Sequence, residues 1–135
     1  MTTATATLLT DLAGISYGIS GSTTAQVFQY HDADLLDFTT FPLILVEDGE
    51  ENNEIGGNET NTTFFHPKVH LFVEAGTAAN LAGYRDTIRN AIYSDATLQA
   101  DAIGVLIDSI IPSESESRKL QHLEFSLTLE IDIAH

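Results

Sequence analysis

The segment Leu123-Glu124-Phe125-Ser126-Leu127-Thr128-Leu129-Glu130-Ile131-Asp132-Ile133 decides the fold. Apolar residues hold every second position without a break, and polar residues fill the places between. Only a β-strand, whose successive side chains point to opposite faces, gathers that pattern into one apolar and one wetted face. A half-buried strand needs neighbouring strands and an apolar layer above it. The rest of the chain supplies both.

Upstream, Ala102 to Ile111 carries Ile103, Val105 and Ile107 in alternation, although Leu106 and Ile110 also suit a helix. The β-branched content selects a strand, and Pro112-Ser113-Glu114-Ser115-Glu116-Ser117 reads as the turn after it. Ala78 to Tyr93 is the central amphipathic helix: Leu81, Tyr84, Ile88, Ala91 and Ile92 recur at three- and four-residue steps. Thr77 is placed to cap it, and Asp95 to Leu98 reads as a turn. Phe65, Val69, Leu71 and Val73 share one strand parity, with Lys68, His70 and Glu74 on the other. Phe38 to Val46 is a further apolar stretch, and Pro42 makes it an edge strand or starts it near Leu43. A short first strand is expected near Gln26 to Tyr30, after a loop bearing Gly18 and Gly21. Leu8, Leu9, Leu12 and Ile15 suggest a helix over residues 5–14 that stops at Gly14.

The expected architecture is α+β: a single, mostly antiparallel sheet of about four to five strands with an extended hairpin. A central amphipathic helix and a short N-terminal helix pack it, in one domain spanning residues 1–135. Between the hairpin strands, residues 47–63 read as a long acidic loop, too polar to offset its ordering entropy by burial. That loop holds a partial calcium pattern. Counted from Asp48, oxygen donors Glu50, Asn52, Glu54 and Glu59 fall at positions 3, 5, 7 and 12 of an EF-hand loop. Asn53 stands where that loop needs glycine, and strands flank it where helices should.

Charge narrows the function. Twenty acids face only Lys68, Arg85, Arg89, Arg118 and Lys119, a formal net charge of −15. Nucleic-acid affinity comes from Lys and Arg displacing counterions, so tight DNA or RNA binding is not expected. An acidic surface instead suits one that nucleic acid passes without sticking, or a salt-adapted host. There are no cysteines, hence no disulfides or thiolate chemistry. No apolar run spans a membrane, the N-terminus lacks a signal-peptide pattern, and an intracellular product is expected.

No nucleophile elbow or phosphate loop is written in the sequence, and the chain reads as non-enzymatic, with no cofactor. His31, His66, His70, His122 and His135 give no metal spacing: His66 and His70 share a strand face but lie roughly 13 Å apart. Arg85 and Arg89, one turn apart on the central helix, are scarce cations. They suit pairing with a neighbouring subunit's carboxylates, or with Asp86, Glu74 or Asp95 of the same chain.

Tyr84-Arg85-Asp86-Thr87-Ile88-Arg89-Asn90-Ala91-Ile92, followed by Asp95-Ala96-Thr97-Leu98, an apolar segment, an acidic turn and the alternating last strand, resembles the tail terminator (tail completion) proteins of long-tailed phages and archaeal tailed viruses. The resemblance covers most of the chain by element order. It implies a homo-oligomeric ring, usually of six subunits, that caps the tail tube, stops its polymerisation and joins it to the head connector. DNA would pass through the lumen, and the protein would sit in the virion neck after assembly in the host cytoplasm. Under that reading Arg85, Arg89, Asp48, Glu50, Glu51, Glu54 and Glu59 are the candidate intersubunit or tube contacts. Two rivals are a related tube or head-closure protein and a calcium-dependent binding module.

Overall fold

The computed structural model describes residues 5–55, 60–74, 81–115 and 120–134. It contains one open, mixed sheet of five strands and three α-helices, an α+β fold. The strands are β1 (Thr23–Val27), β2 (Leu43–Ile55), β3 (Thr60–Glu74), β4 (Gly104–Ser115) and β5 (Leu120–Ala134), in spatial order β1-β2-β3-β5-β4. β1 runs parallel to β2, and the other three pairings are antiparallel. The alternating C-terminal strand is thus central, and both chain halves pair through it.

All three helices cover one face of the sheet. In α1 (Thr5–Gly14), Leu8 and Leu12 lie one turn apart and are buried. The Tyr17 hydroxyl donates to the Leu12 carbonyl at 2.6 Å, satisfying an acceptor that the helix end leaves open. In α2 (Leu81–Ser94), Ile88 and Ile92 are buried; the expected start at Ala78 and the Thr77 cap lie outside the described residues. These side chains meet Ile44, Val46, Phe65, Val69, Leu71, Leu123, Phe125, Leu127 and Leu129 in the main core. The apolar parity of β3 and β5 therefore faces the helices.

Four expectations change. The turn at Asp95 to Leu98 is the start of α3 (Ala96–Asp101), because the Asp95 side chain accepts from the Leu98 amide at 3.0 Å and caps it. The turn at Pro112 to Ser117 is strand as far as Ser115. Pro112 is tolerated there because β4 is an edge and need not donate outward. The first strand is Thr23–Val27, not Gln26 to Tyr30, its ladder set by Leu43 to Glu47 alongside.

The largest correction concerns the acidic loop at 47–63. It is mostly hairpin: β2 and β3 stay paired from Leu43↔Phe72 to Ile55↔Asn61. Alternation and composition missed this because β5 pairs with β3 along the same length and stiffens the whole arm. A bulge between Glu47 and Glu50 shifts the register. At Gly49 an added Cβ would sit 1.8 Å from the His66 carbonyl oxygen, so only glycine fits. The bulge also flips parity, so that Glu47 before it and Glu50 after it point to the same face. The proposed calcium donors consequently lie along a strand, where alternate residues are roughly 6.7 Å apart, and not around one ion. Glu59 lies outside the described residues.

Candidate functional site

The second face of the sheet is covered only at one end. There the β1–β2 connection, including a 3₁₀ helix over Asp32–Asp37, places Leu35 against Leu43, Leu45, Phe72 and Leu120. Beside this small core sits a polar network that spans four strands. Glu47 of β2, His70 of β3 and His122 of β5 come together because Glu47 and His70 lie on adjacent strands and Phe72 is registered with His122. His70 is fully buried and His122 is 7% exposed. His70 Nε2 lies 2.6 Å from Glu47 Oε1, His70 Nδ1 lies 2.8 Å from His122 Nε2, and His122 Nδ1 lies 2.8 Å from Ser113 Oγ. The Tyr30 amide donates to the other Glu47 oxygen at 3.0 Å.

Aromatic rings enclose the histidines. Phe72 stacks on His122 with centroids 4.4 Å apart, and Tyr30 lies 5.0 Å from His70. Burial lowers the His70 pKa, against the pull of the Glu47 hydrogen bond and charge, so desolvation prevails over the ion-pair geometry. Glu124 lies 4.0 Å from His70 Nδ1 and 3.6 Å from the Lys68 ammonium, bridging the buried network to solvent.

Farther along this face a second polar ladder crosses β3, β5 and β4. Thr128 donates to Asp108 at 2.5 Å, which leaves its oxygen to accept from His66 Nδ1 at 3.2 Å. Asp108 sits at the β4 bulge, between Ile107 and Ser109. Among the described residues, no group of three or more His, Asp or Glu side chains is arranged to hold a metal ion.

The sheet's two edges carry its exposed apolar side chains. Among the described residues, six large hydrophobic residues are exposed: Phe28, Leu36, Tyr93, Ile103, Leu106 and Ile111. Phe28, 83% exposed, follows β1 directly; Ile103, Leu106 and Ile111 lie on or beside β4. Tyr93 joins that edge, its hydroxyl accepting from the Ile107 amide at 2.8 Å. β1 itself, Thr23-Thr24-Ala25-Gln26-Val27, carries no charge.

The residues singled out in the sequence scatter. Arg89 pairs with Asp86 at 3.1 Å, one of the intrachain partners anticipated for it. Arg85 Nε is buried without a hydrogen-bond partner among the described residues. Asp48, Glu50 and Glu51 lie on the hairpin arm, Asp48 half-buried and the two glutamates exposed, and Glu54 lies on the same strand. Among the described residues, no two groups of this set come together in one site. The structure does assemble a set that sequence reasoning missed, Ser113 with His122, His70 and Glu47. The only sequence signal was His70 and His122 lying on the polar parity of central strands, where a buried position demands a partner.

On the helix side, Asp11 of α1 meets Asp101 of α3 and the cap residue Asp95. Burial first, then a hydrogen bond with Asp101 and the charges of Asp101 and Asp95, raise the Asp11 pKa to about 7. No helix among the described residues is long and apolar enough to cross a membrane. No protein-family model matches the chain, and no curated protein sequence matches it.

Proposed function

We propose that this chain is a tail-terminator subunit, a virion protein that forms a ring, caps the tail tube, ends its polymerisation and joins it to the head connector. The observation that carries this reading is the placement of exposed apolar side chains at two different, open sheet edges. Edge strands of monomeric proteins are normally blunted by charge or covered. Here β1 is uncharged and flanked by Phe28, and β4 carries Leu106 and Ile111. Contact between the β4 edge of one subunit and the β1 edge of the next is heterologous, the type of contact that closes into rings.

Charge supports the same reading. A ring of six, the usual number in the resembled family, carries a formal −90, six times the −15 of the subunit. A lumen lined by such subunits repels a DNA backbone and leaves it free to move. The hairpin arm, stiffened by pairing with β5, presents Glu50 and Glu51 to solvent, with Asp48 half-buried beside them, and suits a contact with the tube or a neighbour. Arg85, and Arg89 where it is not held by Asp86, are the candidate cations to meet such carboxylates.

Light-scattering mass after size exclusion, at low and molar salt, followed by negative-stain imaging, tests the proposal. Closed rings with a central hole are expected, favoured by salt that screens subunit repulsion. A strict monomer at every salt and concentration argues against it, and open filaments assign the chain to the tube.

A further inference from the structure

Ser113 ends a line of hydrogen bonds that begins at a carboxylate three strands away. The direction of each bond follows by elimination. Glu47, as a carboxylate, only accepts, so His70 Nε2 carries a proton. Burial keeps the His70 ring neutral, so its Nδ1 accepts and His122 donates through Nε2. His122 Nδ1 is then a bare acceptor, 2.8 Å from the Ser113 hydroxyl. This is the arrangement in which an imidazole, held in one tautomer by a second group, draws the proton from a serine.

We propose that Ser113 is a nucleophile with His122 as its general base, and that it takes the acyl group of small activated esters. His70 and Glu47 are positioning residues that fix the His122 tautomer and stabilise the imidazolium. Ser113 Oγ attacks the ester carbonyl as its proton passes to His122 Nδ1. The tetrahedral adduct collapses with cleavage of the ester C–O bond, and the leaving alkoxide takes the proton from His122. Water then repeats the sequence on the acyl-serine, releasing the carboxylic acid and restoring the hydroxyl.

The surroundings set the donor class. Ser113 is exposed on an edge strand and not sunk in a cavity, so it suits donors whose leaving group departs without help. Ile111, two residues earlier on the same face and 49% exposed, offers apolar surface to a short acyl chain. As an edge, β4 leaves alternate backbone amides outside the sheet ladder, the kind of donor a developing oxyanion needs, although Pro112 has none. The charge of −15 disfavours anionic esters. Ring closure through the β4 edge covers Ile111 and the strand that carries Ser113, so this reaction belongs to the unassembled subunit.

The test is to treat the intact protein with p-nitrophenyl acetate, and separately with a fluorophosphonate, and to locate adducts by mass spectrometry. A single adduct on Ser113 is expected, absent in Ser113→Ala and formed roughly 100-fold more slowly in His122→Gln. Charged and titratable groups facing the imidazole pair are Glu47 of β2, His70 and Lys68 of β3, and Glu124 of β5. In Glu47→Gln the loss of negative charge moves the midpoint of the acylation pH profile to lower pH, which a merely structural role would not do. Adducts only elsewhere, or equal Ser113 labelling in a folded His122→Gln protein, overturn the proposal. Should that variant not fold, the wild-type profile decides: Ser113 acylation with no imidazole titration between about pH 5 and 8 overturns it equally.

Discussion

The two faces of this sheet solve burial in opposite ways. The helix-covered face is apolar where the helices lie on it, with Phe65, Val69, Leu71, Leu123, Phe125 and Leu127 packed under α1 and α2. The other face buries histidines at its covered end and leaves the remainder to polar ladders and to solvent. Dispersion and the hydrophobic effect hold the first face and tolerate no lost volume. The second depends on each hydrogen bond having its partner, since an unmatched buried polar group costs its full desolvation. A face built on satisfaction can also do chemistry, whereas one built on packing cannot.

The largest test of this contrast is Phe125→Ala, fully buried under the helices. It should cost about 3–5 kcal/mol in urea denaturation. Glu47→Ala, which strands the His70 Nε2–H and the Tyr30 amide, should cost about 1–3 kcal/mol by the same measurement. Gly49→Ala should cost about 1–3 kcal/mol, because the bulge that turns Glu47 and Glu50 to one face has no room for a Cβ. If Glu47→Ala cost as much as Phe125→Ala, the distinction between the faces would fail.

The faces should also answer pH in opposite directions. His70 has a lowered folded pKa, so on acidification the unfolded chain takes up the proton first. Its contribution is complete above about 6.5 and is lost as pH falls from there toward the folded value. Asp11 has its folded pKa raised from 3.8 to about 7, so the folded chain keeps a proton that the unfolded one releases. Stability from that group falls as pH rises from 3.8 to about 7. Urea midpoints across this range should gain slope in one direction for His70→Phe and in the other for Asp11→Asn. Equal profiles for wild type and Asp11→Asn would remove the carboxyl pair from the account.

Legibility in the sequence divides along the same line. Alternation in Leu123 to Ile133 and the helical stripe of Leu81, Ile88 and Ile92 announce the packed face, because periodicity records burial against an apolar layer. The hairpin arm was illegible because its acids satisfy a ladder whose order comes from β5, about seventy residues later in the chain. Asp95 hid a helix start inside what looked like a turn, and Pro112 hid an edge strand. The Ser113–His122–His70–Glu47 line was illegible because its members lie on four strands. Only register brings them together, and no local spacing encodes it.

The smallest expected change in stability is also the sharpest for assembly. Leu106→Lys, at the exposed β4 edge, should alter folding by no more than about 0.5 kcal/mol while preventing ring closure in negative-stain images. Rings formed by a folded Leu106→Lys protein would dissociate the apolar edges from assembly.

The most direct test of edge-to-edge assembly uses the absence of cysteine in the chain. In a Gln26→Cys/Leu106→Cys double variant, one thiol lies on β1 and the other on β4. Within a subunit these edges are separated by the width of the sheet, roughly 19 Å, so a short bis-maleimide bridges them only between subunits. The predicted result is a ladder of covalent oligomers that ends at the closed ring, with either single cysteine variant stopping at dimers. A double variant that remains monomeric on denaturing gels, under conditions where rings are seen, would contradict the account.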